Sequence, residues 1–435
     1  MQKTVKAAEA ISRGLIIQTT QVLGTVLSFE HPADAVLSRH FRENRDLGHR
    51  DRGFIAETVY GIVRRLRWLR RIAGATATPR QLLLAWLARG EGWPMRQFEG
   101  LASATERDWI ESIKSATLDE GTVAERADLP DWLTERLLAS HDEAAVLQLA
   151  YSLNRPAPLD LRVNVLKADR DAVLAKLNED GFAAEACTMS PQGIRLAGKP
   201  ALQKYPLFLE GGFEVQDEGS QLLGLLVQPK RSELVVDFCA GAGGKTLQLG
   251  AMMRSTGRLY AFDVSEKRLA KLKPRMARSG LSNVHPVLIA HENDAKVKRL
   301  AGKADRVLVD APCSGLGTLR RNPDLKWRQT PESVDEMVVK QGSILAAAAR
   351  LVRPGGRLVY ATCSLLAEEN DAVVDAFLAA NPAFKAVSAQ EVLERQGVTL
   401  ATGERLRLSP HEHNTDGFFA AVLERQSSVP GAADD

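Results

Sequence analysis

From residue 233 onward, short apolar runs alternate with longer amphipathic stretches. Leu234–Cys239, Arg258–Asp263, Val284–Ile289, Asp305–Asp310 and Arg357–Thr362 read as strands, and segments 244–253, 266–279, 332–352 and 367–380 read as helices. That alternation predicts a doubly wound α/β sheet. A last apolar run, Gly417–Leu423, follows a turn at Asn414–Asp416 and is expected to pair antiparallel at the sheet edge.

The pattern upstream is different. Residues 1 to about 130 read as helical. Between Arg52 and Arg71, the apolar residues Ile55, Val59, Ile62, Leu66 and Leu69 recur at spacings of three and four, which predicts one helix. Residues 76–100 read as loop, with Pro79, Gly90, Gly92 and Pro94 as breakers. A middle section, 131–230, holds a turn at Asn154–Pro158, a strand at Leu159–Val165, a helix at Asp169–Asp180 and short strands near Gly193–Leu196. It reads as a small α+β module. The expected division is therefore 1–130, 131–230, 231–425 and a disordered tail at 426–435.

Composition adds only a local signal. The 57 Lys and Arg nearly balance 54 Asp and Glu over 435 residues, but residues 1–80 carry 14 basic and 7 acidic side chains. Arg64, Arg65, Arg67, Arg70 and Arg71 crowd that excess onto the predicted helix, which suggests a polyanion-docking patch; a solvated face is the alternative. Four cysteines at 187, 239, 313 and 363 are too scattered for a disulfide framework or a CxxC metal site. No apolar run reaches the ~18 residues of a membrane span, and Met1–Glu9 lacks a signal-peptide pattern. A soluble, cytoplasmic protein is expected.

The candidate chemistry lies at the strand ends. Cys239-Ala240-Gly241-Ala242-Gly243-Gly244-Lys245 is a glycine-rich turn between a strand and a helix, where an open α/β sheet binds its ligand. Its spacing is wrong for a P-loop. Asp263 ends the second strand, 20 residues after Gly243, where a carboxylate can take both ribose hydroxyls of an adenosine. With no further glycine to seat a pyrophosphate, these features favour S-adenosylmethionine over NAD. Cys313 and Cys363 each follow a strand expected to adjoin the other. A single strand-end cysteine is more often a packing residue. Two facing one crevice suit methylation at carbon 5 of a pyrimidine, where one thiolate adds at carbon 6 and a second group helps release the adduct. Asp310 is placed to hold the polar edge of the ring. Cys239 and Cys187 read as structural.

Five ordered motifs, Gln216-Asp217-Glu218-Gly219-Ser220-Gln221, Asp310-Ala311-Pro312-Cys313-Ser314-Gly315, Arg320-Arg321-Asn322-Pro323-Asp324 with Trp327, Thr362-Cys363-Ser364 and Asp416-Gly417-Phe418-Phe419, resemble the Sun/Nop family of RNA cytosine-5 methyltransferases. The resemblance covers roughly residues 155–425. Pro32-Ala33-Asp34 and Arg50-Asp51-Arg52 look like the NusB-like RNA-binding domain of bacterial members acting on small-subunit ribosomal RNA. The resemblance implies a Rossmann-like methyltransferase sheet behind an all-α domain, S-adenosylmethionine as cofactor, ribosomal RNA as partner and a monomer without metal. It makes Cys363 the nucleophile and Cys313 the residue assisting release. It carries cofactor contacts to Cys239 through Lys245 and to Asp263, Asp294 and Asp310, and lets Lys245 and Asp310 reach the base. Many members have proline where this chain has Ala242, which implies a slightly looser cofactor loop.

Two rivals remain at the level of sequence. A catalytically silent RNA-binding or assembly factor would not need both motif cysteines, Asp263 and Asp310. A DNA cytosine methyltransferase would attack from the Pro-Cys position and would not need the Thr-Cys cysteine. His411 and His413, two apart in a polar loop, lack the further ligands of a metal site.

Overall fold

The computed structural model describes residues 11–427. The reading of Met1–Glu9 falls outside the described residues, as does nearly all of the predicted tail. The chain forms two compact units: residues up to Arg155 with Leu319–Thr330, and Pro156–Thr318 with residues from Pro331 onward.

The first unit is helical. The single helix expected over 52–71 is two, His49–Arg64 and Leu66–Ala73, broken at Arg65. The break has a source far along the chain. Asp128, fully buried, accepts from the Arg67 N–H (2.9 Å) and so caps the second helix from outside. The loop expected over 76–100 is also largely helical. Pro79 is the first residue of a helix, Pro79–Ala85, and Thr78 and Gln81 cap it reciprocally. Helices Asp131–Leu138 and Glu143–Leu153 join this unit.

Four of the five clustered arginines are engaged. Arg64 donates to the Arg320 carbonyl, Arg65 pairs with Asp128 (3.3 Å), Arg67 with Asp131 (2.7 Å) and Arg71 with Asp119 and Glu125. Arg70 alone of the five is exposed. The cluster therefore ties the acidic 119–131 stretch to the second helix, and its charge is largely compensated in place.

The returning segment Leu319–Thr330 packs inside the same unit. Lys326 is 1% exposed, and its ammonium donates to the Arg64 and Asp128 carbonyls (2.8 and 2.6 Å) and to Asn154 Oδ1 (2.9 Å). All three of its protons find acceptors. Burial pulls its pKa down to about 8, which leaves it charged at neutral pH. Trp327 Nε1 donates to the Val63 carbonyl (2.9 Å), and Asp324 accepts from the Ala33 N–H (3.2 Å).

The second unit contains two sheets. The smaller is antiparallel, in the order β2-β3-β1-β4, from β1 (Leu159–Val163), β2 (Ala184–Ala186), β3 (Gly193–Leu196) and β4 (Phe213–Val215). The larger has eight strands: β5 (Leu234–Asp237), β6 (Arg258–Asp263), β7 (Val284–Leu288), β8 (Ala304–Asp310), β9 (Val352–Thr362), β10 (Phe384–Val387), β11 (Arg405–Leu408) and β12 (Phe418–Arg425). The order is β10-β12-β9-β8-β5-β6-β7, with β11 also on β12. Strands β5 to β9 pair parallel, and β12 runs antiparallel to β9. Strand β12 is not the edge expected of it, because β10 and β11 pair with it as well. This is a Rossmann-like doubly wound fold, and the order reverses between β5 and β8. A ligand crevice is expected outside the C-terminal ends of those two strands. Among the described residues, no helix is long and apolar enough to cross a membrane.

All six tryptophans (68, 86, 93, 109, 132 and 327) lie in the helical unit, so tryptophan fluorescence follows that unit alone. Lys326→Met leaves three buried acceptors without a donor. It should lower the unit's stability by about 1–3 kcal/mol, read as a lower urea midpoint. Arg70→Ala, removing an exposed side chain, should leave that midpoint unchanged.

Candidate active site

The switch point holds a cavity of about 430 Å³. Cys239, Ala240, Gly241, Ala242, Gly244, Lys245, Asp263, Asp310, Cys313 and Cys363 all line it, so the structure brings most of the sequence-predicted residues together. Gly243 does not line it. It stands at φ +86°, and a Cβ there would come within 2.2 Å of Leu272, so its part is to let the loop approach the helix Glu266–Ser279 that follows β6.

The loop is held from several sides. The Gly241 N–H donates to Asp263 Oδ2 (2.8 Å). The Ala242 carbonyl accepts from Arg275 (2.6 Å), and the Gly244 carbonyl accepts from Arg162 (2.6 Å). Asp263 is 4% exposed, and its other oxygen accepts from the Ser265 N–H (2.7 Å). Ser265 itself caps the next helix through the Arg268 N–H. Asp263 is therefore a held, cavity-lining carboxylate.

Asp294 is elsewhere. Its oxygens accept from the Ala290 and Lys296 N–H groups (2.9 and 2.8 Å), which cap the short helix Ala295–Lys298 and hold its pKa below the usual carboxylate range. It does not line the cavity. Its neighbours Ile289 and Glu292 do, with Gln216, Ser220 and Lys340. Gln216 and Ser220 belong to the first of the five motifs, whereas nothing in the sequence pattern points to Ile289, Glu292 or Lys340 as cavity residues.

Lys245 Nζ donates to Asp310 Oδ2 (2.8 Å). Burial lowers the lysine's pKa, but the Asp310 charge and hydrogen bond more than offset this and hold it above its ordinary value. Asp237, at the end of β5, is raised to about 7 by burial. Its Oδ2 accepts from Thr246 (2.6 Å), while its buried Oδ1 has no partner.

The thiols meet because β8 and β9 pair in parallel, with Asp310 opposite Ala361. Cys313 Sγ lies 3.4 Å from Cys363 Sγ. The hydrogen bond to Cys363, burial and nearby negative charge push the Cys313 thiol up. Burial likewise pushes up the Cys239 thiol. The turns behind the pair interlock: the Gly317 N–H donates to the Cys363 carbonyl and the Gly417 N–H to the Gly317 carbonyl (2.8 Å each). His413 accepts from the Ser409 N–H through Nδ1 (3.1 Å), and no cluster of metal-ligating side chains occurs among the described residues.

Comparisons with known proteins give the family. Residues 224–424 match the model of the 16S rRNA methyltransferase RsmB/F family, and residues 129–203 match the ferredoxin-like domain of RsmF/B-like methyltransferases. A ribosomal RNA small subunit methyltransferase B from Sodalis glossinidius is 32% identical over 98% of this chain and 98% of its own. The chain belongs to this methyltransferase family. A second relative so named, from Shewanella oneidensis, is 31% identical over 86% of this chain and 91% of its own. The crystal structure of PH0851, 26% identical, superposes with a TM-score of 0.77 over 96% of this chain and all of that one.

The RsmB/F-family chain uses S-adenosylmethionine for methyl transfer, with RNA as the substrate class. Its cavity fits that cofactor. Where a Cβ of Gly241 would stand there is open space, Asp263 has lone pairs to spare for ribose hydroxyls, and the unpartnered Asp237 Oδ1 suits a cationic ligand. Asp263→Ala should weaken S-adenosylmethionine binding by about 10- to 100-fold in calorimetry, the equivalent of one charged hydrogen bond. Asp294→Ala should lower the urea midpoint slightly as a lost cap and leave cofactor affinity within about twofold.

Proposed function

We propose that the protein methylates carbon 5 of a cytosine in small-subunit ribosomal RNA, in the cytoplasm, through a covalent enzyme–RNA intermediate. The observation that carries this reading is the pair of thiols 3.4 Å apart, at the ends of adjacent parallel strands, beside Lys245, Asp310 and Asp263 in one cavity. A methyltransferase acting on a good nucleophile such as a ring nitrogen needs no thiol. Carbon 5 does need one.

Cys363, as thiolate, forms a carbon–sulfur bond at carbon 6, and the electron pair of the 5,6 double bond moves to carbon 5. S-adenosylmethionine supplies the electrophilic methyl group that carbon 5 then accepts. Cys313 takes the proton from carbon 5, the 5,6 double bond re-forms and the carbon–sulfur bond breaks, which regenerates the Cys363 thiolate. The raised pKa of Cys313 supports this division of labour. A thiol held protonated attacks poorly, so attack falls to Cys363. Attack consumes the Cys363 thiolate, whose hydrogen bond and charge hold the Cys313 thiol up, and Cys313 then loses its proton to solvent and is free to take the carbon-5 proton as a base. The Lys245–Asp310 pair holds the polar edge of the base in this reading, which the 2.8 Å contact between them and the Phe418 ring 5.9 Å from Lys245 support. Asp263 and the glycine loop hold the cofactor, and the helical NusB-like unit contributes to RNA binding.

The two thiols can be separated on a denaturing gel with RNA and cofactor. Cys363→Ala should give neither methyl transfer nor adduct. Cys313→Ala should methylate and then stall as a trapped adduct. Bisulfite sequencing of the ribosomal RNA would identify the cytosine. An adduct in Cys363→Ala and none in Cys313→Ala would exchange the roles. Full activity without adduct in either variant would remove the covalent mechanism.

A further inference from the structure

No sequence motif drew attention to Glu369, which is fully buried behind the two thiols. Its Oε1 accepts from the Ser314 N–H (2.8 Å) and the Gln341 amide (3.0 Å). Its Oε2 accepts from the hydroxyls of Ser314 (2.5 Å) and Ser364. Ser314 directly follows Cys313, and Ser364 directly follows Cys363. One carboxylate thus holds the residues next to both thiols. The two hydroxyls also lie 3.2 Å from each other, and Gln341 donates to the Pro312 carbonyl (2.9 Å).

The carboxylate is itself fixed. Tyr360, buried on β9, donates its hydroxyl to the Glu369 carbonyl (2.7 Å). Asn370, next in the chain, donates to the Ser364 carbonyl (3.1 Å) and accepts from Thr362. The β8–β9 pairing stops at Asp310 and Ala361, before either cysteine. Beyond that point the ladder no longer sets the distance between the sulfurs, and the Glu369 side chain shares that task with the Gly317 N–H bond to the Cys363 carbonyl.

We infer that Glu369 is a positioning residue for the two-thiol reaction, keeping Cys313 within reach of the carbon that Cys363 has activated. The inference rests on the cytosine-5 reading above. Attack needs only one thiol in place. Release needs the second held against the adduct, so loosening the bridge should act chiefly after methyl transfer.

The test uses the full-length enzyme with ribosomal RNA. Glu369→Ala should lower kcat about 100-fold, the usual scale for misplacing a reacting group by about an ångström, with both KM values within about twofold. Adduct should accumulate even though both cysteines are present. Glu369→Gln should recover kcat to within about threefold, because its Oε1 can face the two N–H donors while its amide faces hydroxyls that also accept. If Glu369→Ala binds S-adenosylmethionine normally and turns over like the wild type, the inference is overturned. Should that variant not fold, the double variant Ser314→Ala/Ser364→Ala must show the same kcat loss and adduct, and wild-type turnover there would overturn it equally. A Glu369→Gln no better than Glu369→Ala would also overturn it, by showing a requirement for charge instead of position. A wild type that makes no 5-methylcytosine would refute the cytosine reading itself, an outcome distinct from active wild type with indifferent variants.

Discussion

Everything at the site depends on the parallel pairing of β8 with β9, in which Asp310 lies opposite Ala361. In a parallel ladder neighbouring strands run about 4.8 Å apart and finish side by side, so what each carries past its end faces the same space. Strand β8 continues into Pro312-Cys313 and β9 into Cys363. Because side chains alternate faces along a strand, a one-residue slip would turn every paired position over. Buried Val307, Val309, Leu358 and Tyr360 on one face, with Leu308 and Val359 on the other, hold the register from both sides of the sheet. The chemistry of the thiols is thus set by hydrophobic packing well below them.

The polar groups around the cavity are arranged differently from those of the helical unit. In the helical unit the cationic groups are closed off by partners: Lys326 has three neutral acceptors, and the clustered arginines pair with buried Asp128 and with exposed Asp131 and Asp119. Such groups are spent on holding the chain together. At the cavity, Asp237 keeps an unpartnered oxygen and Asp310 remains partly exposed beside its lysine. An unsatisfied buried acceptor costs about 1–3 kcal/mol, a cost that a bound ligand can relieve. Buried polar atoms without a hydrogen-bond partner occur in the helical unit too, at Gln18, His40 and Trp86, so what singles out the two aspartates is that they line the cavity.

This contrast also explains what could be read from the sequence. Six of the eight strands of the large sheet, the glycine loop, Asp263 and both thiols were legible, because each depends on a local pattern or on a residue at a strand end, whereas β10 and β11 were not. The break at Arg65 was not, since its cause, Asp128, lies 63 positions away in sequence. The basic cluster misled for the same reason: its counter-charges come from 119–131, and a charge count by segment cannot pair them. Pro79 reads as a breaker from composition alone, although Thr78 and Gln81 form a capping box around it. That signal was present and local. Asp294 and Glu292 are two residues apart, and only the turn into the short helix decides which one caps and which faces the cavity. Glu369 had no local signature at all, because its partners sit 5, 28 and 55 positions away.

The Ala242 departure shows how the fold can replace a constraint that the sequence lacks. A proline there would stiffen the loop by fixing φ. Here the Ala242 carbonyl is gripped by Arg275, and Arg275 is held in turn by the buried Glu214 (2.9 Å) on β4. Arg278 pairs with the other oxygen of the same glutamate. The carbonyl is thereby fixed by a guanidinium whose own position is set by a carboxylate of the smaller sheet. Stiffness supplied through hydrogen bonds differs from stiffness in the covalent ring, because it depends on both sheets being folded. The smaller sheet thus takes part in shaping the cofactor loop, and the looseness expected from alanine is opposed by Glu214 and Arg275 together.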